Sequence, residues 1–428
     1  MDHSEETEEP PEAAPALNGG GGVEHDDGSK PASGDFRPDG SSSCATNNGD
    51  EDALERMSST ATVTVNVCKQ CGAETATRAA SRRHAFAHSL PVSSFSIPFS
   101  YSAATLLWQA LGTYAFVVPL TVSNVLWFIT LTLNTLLVAL YVLKWRVAPE
   151  MVADEWNSSD TATYFTVPVM TCIGLLAAAP GYLQQGTVHE VFFWIFWAVW
   201  LLVSLILLGD WLYGTSRSLA NVRPVYTLPV IGHFFLVIVS TEINLPQVGM
   251  YSFSVGVFFL IILYVSMFQR LPDRPVPTTS PTLFMVLGPL SLASSSWFLL
   301  RNSLHEPGGP REKFFPLLSL AFFYSALFLL LLMFRVRGVV LLRGRVRLNM
   351  DYWATAFPTL ALAHVSVQWW HYIGPTVATL VIMIILTALS MSILVVMSAV
   401  TAVTFTWRLK RGMAAFWRET RPQTVNAV

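Results

Sequence analysis

The chain has 428 residues, of which 52% are hydrophobic and only 13% charged, with a formal net charge of −2. A soluble assembly of two or three domains would carry roughly twice that charged fraction, so the excess apolar surface calls for lipid. Near-neutral charge and four cysteines give no reason to expect a nucleic-acid binder or a disulfide framework.

In chain order, residues 1–94 come first and differ in kind from the rest. They hold sixteen acidic against seven basic residues, a balance of −9, with runs such as Glu5-Glu6-Thr7-Glu8-Glu9 and Gly19-Gly20-Gly21-Gly22. Too little of this can be buried to offset chain entropy, so a disordered acidic tail is expected. Its lack of a basic region leading into an apolar stretch argues against a secretory signal. Within it, Cys68-x2-Cys71-x12-His84-x3-His88 has zinc-finger spacing, yet Thr75 and Ser81 stand where a finger needs apolar core residues. Coincidence is the favoured reading, and no metal or other cofactor is expected. Arg56-Met57-Ser58-Ser59 and Arg78-Ala79-Ala80-Ser81 have the pattern of basophilic kinase sites, which makes Ser58, Ser59 and Ser81 candidate phosphosites and a kinase a candidate partner.

From residue 95 to residue 407 the pattern is all-α and membrane-embedded. Asp, Glu, Lys and Arg are absent from His84 to Leu143, and Asp351 alone interrupts a charge-free run from Leu348 to Trp407. At about 20 residues per crossing, hydropathy and charge breaks predict ten spans near 95–113, 117–143, 161–183, 188–212, 225–245, 247–268, 281–300, 314–334, 350–370 and 374–407. A short basic tail, 408–428, follows. Loops after even-numbered spans, with this tail, hold sixteen Lys and Arg; loops after odd-numbered spans hold Arg301, Arg311 and Lys313. The positive-inside rule therefore puts both termini in the cytosol.

Proline marks the odd spans. Pro98, Pro168, Pro229, Pro289 and Pro358 fall at separations of 70, 61, 60 and 69 residues, most of them inside apolar runs, whereas even spans keep proline near the first turn, as at Pro119, Pro246, Pro316 and Pro375. This period fits one helical hairpin repeated five times. Interior prolines would kink the odd helices, which would then form an inner ring around a central path, with the even helices facing lipid. Proline is also simply commoner in membrane helices than in soluble ones, which is the bland alternative.

Specific strings then become informative. Gly209-Asp210-Trp211-Leu212-Tyr213-Gly214, Gln269-Arg270-Leu271-Pro272 and Trp353-Ala354-Thr355-Ala356-Phe357-Pro358 resemble the slow anion channel family of plants, grouped with bacterial tellurite-resistance and dicarboxylate transporters. The resemblance covers roughly residues 95–407. It implies a homotrimer whose subunits each carry a pore lined by five kinked helices about a pseudo-fivefold axis, closed midway by a phenylalanine that the motif places at Phe357. The chain departs from the family at Phe95-Ser96-Ile97-Pro98-Phe99, where a glycine-rich start belongs, and at His233, which fits no family position.

No catalytic constellation stands out, and an enzyme is not expected. Phe165 and His233 are candidate pore-lining residues. His233, His364 and His371 lack a metal-ligand spacing with carboxylate support, and Glu190, Glu242 and Asp351 lie near span ends, where a charge is least costly in a membrane. With no basic residue at mid-span, an anion would be held weakly enough to leave. Selectivity would come from the cytosolic mouth, including Arg217, Arg223, Arg270, Arg343 and Arg345, where sixteen basic against seven acidic residues give about +9.

The favoured function is an anion channel for chloride or nitrate in a plasma membrane. The alternative is a proton-coupled carrier or exporter of malate-like dicarboxylates, sulfite or tellurite-type anions, with His233 and Glu242 as proton-coupling suspects. A receptor or scaffold ranks last, because it leaves Phe357 and the prolines without a role.

Overall fold

The computed structural model describes residues 90–115, 119–184, 186–214, 222–270, 281–304, 315–342, 352–373 and 376–420. Among these the protein is all-helical. The helices are α1 (Ser96–Ala110), α2 (Leu120–Val147), α3 (Pro149–Asn157), α4 (Val167–Ala177), α5 (Thr187–Tyr213), α6 (Leu228–Glu242), α7 (Pro246–Arg270), α8 (Leu287–Leu304), α9 (Phe315–Leu342), α10 (Trp353–Ile373) and α11 (Val377–Thr420). Backbone polar groups find no water in a bilayer, so a chain this apolar must satisfy them within helices.

Seven described helices are long and apolar enough to cross a membrane: α2, α5, α6, α7, α8, α9 and α11, with α6 and α8 counted together with the 3-10 turns that lead into them. An eighth is added if α3 and the Ala162–Ala177 segment, bent by 107°, count as one broken span. α1 and α4 have 15 and 11 residues, below the length of a regular crossing. α3 was not foreseen from hydropathy. It begins on Pro149, a residue pre-set for a first helical position, and buries none of its residues.

Burial sorts the helices into two sets. α1, α4, α6, α8 and α10 are almost wholly enclosed, while α2, α5, α7, α9 and α11 bury about one face. The enclosed helices touch in cyclic order: α1 packs on α4, α4 on α6, α6 on α8, α8 on α10, and α10 returns to α1. Each is also braced by a helix of the other set. Ser123 of α2 donates to the Thr105 carbonyl of α1, Trp127 of α2 to the Leu175 carbonyl of α4, Ser294 of α8 to the Ser319 carbonyl of α9, and Trp353 Nε1 of α10 to Thr401 Oγ1 of α11.

The prolines sit differently from the expectation of mid-helix kinks. Four enclosed helices are preceded by 3-10 turns, Val92–Phe95, Ala162–Thr166, Pro224–Thr227 and Pro281–Val286, which pass directly into α1, α4, α6 and α8. Pro98, Pro168, Pro229 and Pro289 then occupy the first turn of the α-helix, where the fixed φ of proline suits the helix start. Pro358 differs and lies inside α10. The repeat is thus a switch from 3-10 to α winding, with proline at the junction in four of its five copies.

Close approach between the two sets rests on glycine. A Cβ on Gly232 of α6 would stand 2.0 Å from the Trp200 ring of α5, and one on Gly249 of α7 would stand 2.4 Å from Ser240 Oγ of α6. Small residues let helix backbones approach where van der Waals contact, not the hydrophobic effect, drives association in lipid.

Candidate functional site: a phenylalanine layer at the centre of the enclosed helices

All five enclosed helices meet at one level. Phe357 of α10 stacks on Phe99 of α1, with ring centroids 4.0 Å apart and planes 24° from parallel. Phe235 of α6 completes the group, 6.1 Å from Phe357 and 5.8 Å from Phe99. The remaining two helices supply glycine. A Cβ on Gly288 of α8 would lie 3.0 Å from the Phe357 ring, and one on Gly174 of α4 would lie 3.0 Å from Ser102 Oγ and 3.5 Å from the Phe235 ring. Three rings are therefore held between two helices that each present a glycine at this level. Phe99, Phe235 and Phe357 are each at most 3% exposed, and such a layer offers a passing ion neither water nor donors.

Phe357 was legible in the sequence; Phe99, Phe235 and Gly288 were not. The missed signal was local. Gly288-Pro289 repeats the position of Phe357-Pro358 in the helix before, so one copy of the repeat presents a ring where the other presents a space. Pro98-Phe99, noted only as a departure from the family pattern, carries the second half of the stack.

The other candidate residues lie elsewhere. Phe165, in the turn before α4, meets Tyr141 and Trp156 edge-on at 5.8 and 5.2 Å, away from the layer. His233 faces the outer set, 6.0 Å from the Trp200 ring and against Gly256 of α7, rather than joining Phe235 two residues later. A helix turns about 100° per residue, so residues two apart face opposite sides.

Arg223 forms an exposed ion pair with Asp160, and Arg270 is the last residue of α7. Arg217, Arg343, Arg345, Ser58, Ser59, Ser81 and the Cys68, Cys71, His84 and His88 set lie outside the described residues. No group of three or more potential metal ligands occurs among the described residues.

A polar knot that hydropathy did not reveal sits at the start of the described chain. Lys144 of α2 is fully buried and pairs with Glu155 of α3 at 2.7 Å. Its ammonium also donates to the Leu90 carbonyl at 2.9 Å, and Tyr141 donates to the same carboxylate at 2.5 Å. A buried ammonium needs its donors used, and here the segment entering α1 takes one of them. Phe95 and Phe165 pack on Tyr141 from either side, tying the first 3-10 turn to the second.

One of the family motifs falls at a structural joint. Trp211 of the Gly209–Gly214 string stacks on Tyr226 at 5.0 Å, almost parallel, fixing the end of α5 to the turn before α6.

The chain is thus a multi-pass helical membrane protein whose five enclosed helices close on an aromatic layer. The model of the voltage-dependent anion channel family matches residues 89–404, and the chain belongs to that family. Among its relatives is the S-type anion channel SLAH4 of Arabidopsis thaliana, 27% identical over 338 residues, which are 78% of this chain and 89% of that protein. The S-type anion channel SLAH1 of the same plant is 24% identical over 325 residues, 73% and 81% of the two chains. The guard cell S-type anion channel SLAC1 is 25% identical over 217 residues, 48% of this chain and 39% of its own.

Proposed function

We propose that this protein is a channel for small inorganic anions such as chloride and nitrate, conducting along the axis of the five enclosed helices and closed there by Phe357 against Phe99. The observation that carries the reading is the convergence of three phenylalanines, from three different enclosed helices, on the residue that the family motif marks. A ring stack blocks an ion by bulk and by dewetting, and rotation of one ring about its side-chain bonds opens the path without moving a helix.

In this reading ten spans form five hairpins about a pseudo-fivefold axis, α1 and α4 each crossing together with the 3-10 turn before it. The protein is a homotrimer of plasma membrane, with both termini cytosolic. Phosphorylation of Ser58, Ser59 or Ser81 by a kinase regulates conduction by adding about two negative charges to the acidic tail. The carrier alternative draws no support from His233, which packs among helices rather than on the axis.

The test is a current recording with Phe357→Ala. A variant that reaches the membrane in normal amount and conducts anions without stimulus bears the assignment out. Phe357→Ala that assembles normally with no rise in basal anion current removes Phe357 from the gate.

A further inference from the structure

Residues seven positions along an α-helix lie about two turns, or roughly 10 Å, further on and about 20° from the same face. Seven residues beyond Phe357 is His364, beyond Gly288 is Ser295, and beyond Phe235 is Glu242. Since Phe357, Gly288 and Phe235 meet at one level, these three share a second level along the same axis, after the layer in chain direction. α1 places Leu106 there, and α4 has already ended at Ala177. The axis therefore changes from aromatic to polar within two turns.

Two of the three are in contact. Ser295 Oγ lies 3.5 Å from His364 Nδ1, both side chains being buried, at the outer limit of a hydrogen bond. Other hydroxyls of the enclosed helices have a close carbonyl partner, either on their own backbone, as Ser100 on Ser96, Ser291 on Leu287 and Thr359 on Thr355, or on a neighbouring helix, as Ser294 on Ser319 and Ser296 on Phe234. Ser295 has none among the described residues. Its hydroxyl and the imidazole are held loosely toward one another, with donor capacity that no strong partner consumes.

We propose that Ser295 and His364 coordinate a small, partly dehydrated anion beside the phenylalanine layer. This rests on the conduction reading and assigns the site at which the anion is held once Phe357 has moved. An O–H and an N–H replace water lost from the anion, and with no fixed cation between them they hold it weakly enough to release.

The experiment uses the full chain carrying Phe357→Ala, with surface protein quantified and currents recorded in chloride and in nitrate. His364→Ala and Ser295→Ala are expected to lower chloride conductance severalfold and to shift the chloride-to-nitrate permeability ratio. His364→Gln keeps an N–H donor, so it should recover much of what His364→Ala loses, which a merely structural histidine would not show. Unchanged conductance and permeability ratio in His364→Ala and Ser295→Ala at normal surface level would overturn the site while leaving conduction standing. Absence of any anion current from the Phe357→Ala parent at normal surface level would overturn the conduction reading, and this site with it.

Discussion

The two sets of helices invert the rule of soluble proteins. α2, α5, α7, α9 and α11 are the more apolar, yet only 11–33% of their most apolar windows is buried, whereas the less apolar α6 and α8, with their leading turns, are 94% and 83% buried. Lipid is the solvent for the first set, so it needs hydrocarbon rather than fit. The second set is surrounded by protein and is free to carry serine, threonine, histidine and glycine, provided each polar group is satisfied and each ring has a space. The aromatic layer and the buried hydroxyls and imidazoles of this molecule therefore sit where hydropathy is weaker.

Changes at the contact between the sets should be the most damaging. Gly232→Val puts branched carbons where the Trp200 ring already lies, 2.0 Å from the first added atom. Overpacking of this kind costs about 1–3 kcal/mol or more, and with a rigid indole as the obstacle the upper end is expected. The measurement is yield and thermal stability of detergent-extracted protein; a variant as stable as wild type would show that α5 is not seated on α6 as described.

Next is the knot that joins the two sets at the entry to α1. Lys144→Met removes the ammonium from Glu155, Leu90 and Tyr141 at once. Because Glu155 keeps 21% side-chain exposure and can recover water, a loss of about 1–3 kcal/mol is expected, short of the penalty for a sealed charge. Lys144→Met with Glu155→Gln should recover part of it. A double-mutant cycle showing no coupling would break the claim that α2, α3 and the chain entering α1 act as one unit.

Gly288→Ala probes the layer with a smaller effect. Its added methyl group would stand 3.0 Å from the Phe357 ring, so the ring must shift by a few tenths of an ångström. Stability should fall by about 1 kcal/mol, while basal anion current rises if the ring is displaced from Phe99. A normal current and normal stability together would mean that the ring has slack.

Leu205→Ala completes the comparison from the other side. Leu205 of α5 is 63% exposed, and in lipid its removal should change stability by no more than about 0.5 kcal/mol. A large loss there would mark a protein contact, such as a subunit interface, rather than a lipid face.

Much of this was readable from the chain alone. Long uncharged stretches fix helices because a bilayer leaves the backbone no other partner, and the spacing of Pro98, Pro168, Pro229, Pro289 and Pro358 fixed a repeat because proline is tolerated in few places along a helix. Phe357 was marked by a motif. The sequence could not say that four of those prolines open α-helices after 3-10 turns, because winding at a helix start is decided by what the turn packs on, as Phe95 packs on Tyr141. Nor could it place His233 on the Trp200 side and Phe235 on the Phe357 side, since both belong to a helix that is apolar all round and has no amphipathic face to read. That three rings meet between two glycines depends on residues from five helices separated by up to 258 positions, from Phe99 to Phe357. Such a meeting is set by the packing of the helices, and no local pattern encodes it.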